Sequence, residues 1–356
     1  FSELVLNPVA QVKFVHTVAS GYVCGAMFVL GISSYYMLRG RDFAFAKRSF
    51  AIAASFGMAA ILSVIVLGDE SGYEMGDVQK TKLAAIEAEW ETEPAPASFT
   101  LFGIPNKETM STDYAVKIPY VMGIIATRSF DKEVTGLKDL MAQHELRIRN
   151  GMTAYAELEK LRAGDRSPEL MASFKENQKD LGYGLLLKKY TPNVVDASEE
   201  QIKAATKDTV PNVTALFFSF RAMVASGCLM LLLFILSTYA VAKRNAENKP
   251  WLLKFALYGL PLPWIATQTG WYVAEGGRQP WTIGEVLPTH LSASSLSTGD
   301  IWGSILALAA FYTVLLIIEM YLMIKFARLG PSSLHTGKYH FEKGTDQNHA
   351  AAEAQS

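Results

Sequence analysis

The sequence predicts an all-α integral membrane protein: five transmembrane helices plus a mostly helical loop domain facing outward. Three observations predict it. Long apolar runs near both ends flank a polar middle, a contrast hidden by an average composition of 50% hydrophobic residues and a mean hydropathy of +0.16. Five of those runs reach or approach the ~20 apolar residues that a membrane helix needs. Lys and Arg cluster in alternate connections, as the positive-inside rule requires of a chain that crosses repeatedly.

Helix A runs near Val12–Leu38 and helix B near Phe50–Leu67; helix C covers about Val213–Ala242, D about Leu252–Ala274 and E about Ile301–Phe326. Pro261 and Pro263 predict a kink in D, because proline removes a helix donor and crowds the preceding turn. Arg39, Arg41, Lys47 and Arg48 lie between A and B; Lys243, Arg244, Lys249 and Lys254 between C and D; Lys325, Arg328 and Lys338 after E. All three sets face the cytoplasm, which leaves the polar insertion and the D–E connection outside. The chain thus divides into residues 1–68 (two membrane helices), 69–211 (outward loop), 212–328 (three membrane helices) and a cytoplasmic tail, 329–356, read as disordered after Phe341. Within the loop, Asp77–Glu91 reads as a helix stopped by Pro94 and Pro96, and Leu137–Leu161 carries apolar residues at helical period. Ser167-Pro168 and the capping box Ser198–Gln201 start two more helices.

Net charge is −1 and both cysteines, Cys24 and Cys228, lie in apolar runs, so neither a disulfide framework nor a zinc site is indicated. There is no phosphate-cradling glycine loop and no basic stripe with interleaved aromatics, so no nucleic-acid partner is expected.

Chemistry concentrates in Gly270–Trp281. Gly276 and Gly277 are expected to stop helix D in the left-handed conformation, which makes Glu275 its last side chain. A carboxylate there opposes the helix dipole and sits at a membrane edge. Two positive partners answer that cost: Arg278, as a simple ion pair, or a metal. Trp264, Gln268, Trp271 and Glu275 share one stripe, which suits either a planar cofactor or an interfacial aromatic belt. His16 is the one histidine inside a membrane run, and is either a functional ligand or a hydrogen-bonded structural group. Met223 is ordinary packing unless it has a partner; His plus Met is an axial pair for low-spin haem. Arg221 is close in sequence but points about 200° from Met223 on an ideal helix. Gln79, Lys82 and Glu87 follow helix B; on periodicity alone they form a solvated charged face. Glu319 lies deep in helix E, where an acid is neutral or part of a proton path; Lys13 reads as a snorkelling cation.

Three stretches carry a resemblance. Glu275 with Gly277-Arg-Gln-Pro-Trp281, Ser71-Gly-Tyr-Glu-Met-Gly-Asp-Val-Gln79 and Lys325-Phe-Ala-Arg-Leu-Gly-Pro-Ser-Ser333 resemble the signatures of subunit I of cytochrome bd-type ubiquinol oxidases, in the proteobacterial form with a long quinol loop. The resemblance implies that four further helices precede helix A in the family subunit, with the haem d ligand among them, so a chain starting on Phe1 reads as a fragment inactive by itself. It also implies roles. His16 and Met223 would ligate low-spin haem b with Arg221 beside it; Glu275 would ligate high-spin haem b, with Trp271 between the haems and Arg278 adjoining; Lys82, Glu87 and Gln79 would form the quinol site. The implied activity is oxidation of ubiquinol on the periplasmic side and reduction of O2 to water, generating a proton gradient across the bacterial inner membrane. Implied partners are subunit II, small subunits and the lipid bilayer. Two other classes stay open: a haem-carrying electron-transfer subunit without oxygen chemistry of its own, and a transporter using Glu275 and Glu319.

Overall fold

The computed structural model describes residues 2–129 and 131–331. The predicted tail lies outside them, as do Lys338 and the last two residues of the third signature. In chain order the elements are α1 (Ser2–Val5), α2 (Pro8–Arg39), α3 (Phe43–Val78), α4 (Lys80–Glu87), β1 (Phe99–Asn106), β2 (Ser111–Ile118), α5 (Leu137–Arg162), α6 (Pro168–Asn177), α7 (Leu181–Leu185), α8 (Glu199–Asp208), α9 (Val213–Ala242), α10 (Pro250–Tyr258), α11 (Leu262–Gly276), β3 (Trp281–Ile283), β4 (Leu287–Pro288) and α12 (Thr298–Leu329), with short 3-10 and π turns between some of them.

Among the described residues, four helices are long and apolar enough to cross a membrane: α2, α3, the α8–α9 stretch and α12. The predicted helix D is not one continuous span. It breaks into α10 and α11, because Pro261 has no amide to give and the Gly259–Pro261 turn ends the first piece. Helix B is longer than expected: α3 runs through Gly68 to Val78, taking in most of the Ser71–Gln79 signature. The helix predicted at Asp77–Glu91 is the shorter α4, stopped at Ala88 in the left-handed region (φ 52°) rather than by the prolines further on. The loop also contains strands that the helical reading missed, β1 paired antiparallel with β2 from Phe99↔Ile118 to Asn106↔Ser111.

The chain forms two compact units. The first comprises the stretch up to Val18, Ser63–Gly227 and Trp264–Ala293. One core joins Leu83, Ala84 and Ile86 of α4 to Leu137 and Leu140 of α5, Leu216 and Phe217 of α9, and Val273 of α11. Each large apolar side chain fully buried there contributes about 1.5–3 kcal/mol. A second core packs Ile148 and Tyr155 of α5 against Tyr183, Leu187, Ile202 and Trp281. The backbones of α5 and α7 meet at Gly151 and Gly184, where an added Cβ would come within 2.4 Å of the opposite chain.

The second unit comprises Ala19–Leu62, Cys228–Pro263 and the chain from Ser294 on. Gly57 of α3 lies under the Phe234 ring of α9, so close that a methyl group there would overlap it. Arg41 donates to the carbonyls of Arg328 (2.8 Å) and Leu329 (2.6 Å), closing the C-terminus of α12. A capping box between Ser297 and Asp300 opens that helix, and none of its residues is buried.

Candidate functional site

The site residues all belong to the first unit, and α4 is its centre. Lys82 and Glu87 do not form a solvated face: Lys82 is 7% and Glu87 4% exposed. The correction has a physical cause. Helix α4 packs against α5, α9 and α11 on most of its circumference, and both charged groups find partners in the interior.

Glu87 pairs with Arg221 of α9 at 3.0 Å. Arg221 is fully engaged. Its Nε donates to the Leu101 carbonyl (3.3 Å), one terminal nitrogen to Ile86 (2.7 Å) and Phe217 (3.1 Å), and the other to Glu87 and Thr100. All five guanidinium donors therefore meet protein acceptors, and the plane lies 3.3 Å over the Phe217 ring centroid. Burial pushes the Glu87 carboxyl up to about 7, against the pull of Arg221 and with a further push from Glu89. Glu89, which the sequence reading passed over, is likewise raised to about 7 by burial; Lys117, 3.7 Å away, opposes that rise.

Lys82 reaches α11. Its ammonium donates to the Ala274 carbonyl at 2.9 Å, where the helix dipole favours a cation. Its aliphatic stem crosses Gly277, whose added Cβ would meet the Val273 carbonyl at 2.6 Å and the Lys82 Cγ and Cε at 2.8 and 2.9 Å. The helix's own carbonyl and the Lys82 stem together leave room only for glycine here. Neither Gly276 nor Gly277 has the positive φ expected of a left-handed stop; close approach, not backbone handedness, is what Gly277 supplies. Burial lowers Lys82 to about 8, helped by Lys13 and Arg278 and opposed by Glu275. Gln79 is half-buried at the N-cap of α4, and its side chain makes no cap hydrogen bond.

Glu275 pairs with Arg278 at 2.5 Å, three residues on. The plain ion pair is thus the partner present. Among the described residues no group of three or more His, Cys, Asp and Glu could hold a metal ion by itself. A haem asks less of the protein, one or two axial donors, and the donor set fits it. His16 is half-buried, and its buried Nδ1 makes no hydrogen bond of good geometry, the Val64 backbone offering at most a weak one. The ring lies against Gly68 of α3. The Met223 sulfur lies over Gly270 of α11, 2.9 Å from where a Cβ would stand. Lys13, Glu275 and Arg278 all act on Lys82, and Arg278 pairs with Glu275, a local excess of positive charge that suits the carboxylates of a haem. Trp271 is 64% exposed, its face open to a planar group.

A buried polar cluster, unanticipated from the sequence, ties the β3–β4 hairpin to the loop. Arg147 bonds Asp180 (2.6 Å) and Glu285 (2.9 Å). Tyr183 donates to Glu285 (3.2 Å) and packs edge-on against Trp281. His144 bonds Thr209 (2.8 Å) and approaches Thr81 (3.4 Å), next to Lys82; burial and Arg147 lower it to about 4. No short motif announces such a cluster, since its ion-paired members lie from 33 (Arg147–Asp180) to 138 (Arg147–Glu285) residues apart.

A helical membrane chain with an imidazole, a thioether and a carboxylate beside a buried acid–base pair has the kind of donors a haem takes. Residues 1–331 match the family model for cytochrome bd terminal oxidase subunit I, and the chain belongs to that family. It is 46% identical to cytochrome bd-II ubiquinol oxidase subunit 1 of Escherichia coli (strain K12) over 94% of its own length and 65% of that protein's. It is 26% identical to cytochrome bd ubiquinol oxidase subunit 1 of Bacillus subtilis (strain 168), covering 93% of this chain and 59% of the relative. The solved bd oxidase from Geobacillus thermodenitrificans shares the fold, with a TM-score of 0.63 at 22% identity, covering 91% of this chain and 59% of that one. The chain therefore spans somewhat under two thirds of these relatives.

Proposed function

We propose that this chain is the quinol-oxidising, haem b-carrying portion of a ubiquinol:oxygen oxidoreductase of the bacterial inner membrane, working with a subunit II and small subunits. The observation that carries this reading is the buried Glu87–Arg221 pair, set two residues before Met223 on the same helix. A carboxylate near pH 7 is matched to accept a proton from a quinol hydroxyl. Arg221 holds that carboxylate in place and takes up its charge. Lys82, half-neutral near pH 8, offers a donor to the quinol oxygen, and Gln79 supplies a free amide at the mouth of α4. Protons leave toward the outward loop, 69–211, on the periplasmic side.

His16 and Met223 would hold low-spin haem b and Glu275 high-spin haem b, with Trp271 between them and Arg278 and Arg221 alongside. These groups, with haem d in the whole oxidase, supply one-electron transfer and the reduction of O2 to water. In the high-spin site Glu275 would exchange its Arg278 pairing for the iron, leaving Arg278 to the haem's carboxylates. Five membrane crossings are retained in this reading, α10 and α11 together making the fourth.

The test is a reduced-minus-oxidised spectrum of the assembled oxidase alongside quinol kinetics of Lys82→Ala. Haem b bands and a raised quinol KM with unchanged spectra are expected. Absence of haem would return the transporter reading, and haem with no oxygen uptake the electron-carrier reading.

A further inference from the structure

The β1–β2 hairpin presents apolar side chains that no described residue covers. It is also fixed alongside a membrane helix. Thr214 of α9 donates to the Pro105 carbonyl (3.2 Å), and Arg221, seven residues further on, donates to the carbonyls of Leu101 and Thr100. Those anchors lie about 10 Å apart on the helix and roughly 13 Å apart on the strand, so β1 runs along α9. The turn end points outward and the open end inward.

The depth of the open end follows from α9. Lys243 and Arg244 mark its inner terminus, and the hydrocarbon layer takes about 20 helical residues. Counting 20 back from Ala242 reaches Met223, which places Arg221 at the outer boundary. The side chains beside it are Leu101, Phe102 (53% exposed), Val116 (54%) and Ile118, followed by exposed Tyr120 and Ile124. The turn, at the far end, carries Asn106, Lys107, Glu108 and Thr109. Polarity therefore changes along the hairpin in the direction in which a bilayer changes. Lys117, between Val116 and Ile118, bends back to Glu93 at 3.3 Å, as a snorkelling cation does. Tyr114, nearer the turn, is a residue type of the interfacial belt. An apolar patch of this extent, left in water, would be a liability.

We propose that the open end of the β1–β2 hairpin is a lipid-contact surface, seated among phospholipid acyl chains of the outer leaflet. It rests on the reading that α9 spans the bilayer with its Lys243 end inward. The hairpin then sets the depth of Arg221, and through it of Glu87, relative to the layer that delivers quinol.

The test is site-directed spin labelling of the assembled oxidase in phospholipid nanodiscs, without reductant. Phe102→Cys, Val116→Cys, Lys107→Cys and, as a depth reference on α9, Leu232→Cys are made in a background cleared of reactive cysteines, Cys24→Ser and Cys228→Ser included. Relaxation by O2, which partitions into acyl chains, is compared with relaxation by a water-soluble nickel chelate. The oxygen-to-nickel ratio at positions 102 and 116 is expected several-fold above that at 107. A ratio equal to that at 107 overturns the proposal in favour of a water-facing hairpin. Accessibility to neither reagent overturns it in favour of a protein partner. If position 232 reads as lipid-exposed while 102 and 116 do not, the hairpin inference alone has failed; if 232 reads as aqueous, the span itself has.

Discussion

Glu87→Gln removes one charge from a buried pair and leaves the shape almost unchanged. The structural cost is bounded by what Arg221 keeps. Removing one partner of a buried ion pair costs about 3–5 kcal/mol when the other is stranded. Here the guanidinium retains four backbone carbonyls, so the loss approaches that of one charge-assisted hydrogen bond, about 1.5–3 kcal/mol. The oxidase should therefore assemble with its haem spectra intact. The kinetic cost is larger. Loss of a general base lowers turnover about 10²–10⁴-fold. The pH profile gives the sharper readout. With the carboxyl near 7, the base form falls about tenfold per pH unit below that value, so kcat/KM for quinol should rise with pH and level off above about 8. In Glu87→Gln that rising limb should vanish. Turnover within a few-fold of wild type with the limb unchanged would refute the base assignment. Haem bands lost together with turnover would assign Glu87 to holding α9 instead.

Three further outcomes are expected. Gly270→Ala places a methyl group 2.9 Å from the Met223 sulfur; it should shift the potential or intensity of the low-spin haem signal in redox titration, and an unmoved signal would remove Met223 from the ligand set. Glu275→Gln should abolish the high-spin haem b signal and spare the low-spin one; if Arg278→Gln abolishes it while Glu275→Gln keeps it, the carboxylate serves only the ion pair. His144 is held neutral in the folded loop, its value lowered from 6.5 to about 4, so the unfolded chain binds the extra proton between those values. That stability is fully present above about pH 6.5 and is lost as pH falls toward 4, about 3 kcal/mol in all. Thermal unfolding across that window should show a smaller acid loss in His144→Asn, and an identical loss would place the sensitivity elsewhere.

The long apolar helices were legible because hydropathy over 20 residues is a one-dimensional property. The need for a positive partner at Glu275 was legible too, because a carboxylate at a helix C-terminus is anomalous on sequence grounds alone, and Arg278 meets that need. Burial of Lys82 and Glu87 was not legible. Their 140° separation on α4 reads as a solvated face until three other helices are known to surround it. The hairpin was missed although Phe99–Ile104 and Thr112–Ile118 are rich in β-branched and aromatic residues, since a helical signal on both sides outweighed two short strands. Gly277 was assigned the commoner task of its residue type; the side chain that crosses it comes from a helix nearly 200 residues earlier.

The extension of α3 beyond Gly68 makes the site a matter of helical phase. Gly68 meets His16, and the same helix continues to Val78, where α4 begins two residues later. Ten residues of unbroken helix amount to about 15 Å of rise and a rotation of roughly 1000°. If His16 holds a haem and Lys82 and Glu87 serve quinol, as proposed, the two sites are geared to one another as two keys cut on one shaft. Deleting a single residue between Gly68 and Val78 would turn α4 by about 100° and carry Glu87 away from Arg221, although every side chain of the site were kept. Deleting four would nearly restore the angle, at the cost of about 6 Å of height. The length of this segment modulo one turn is accordingly as much a part of the site as Lys82 or Glu87.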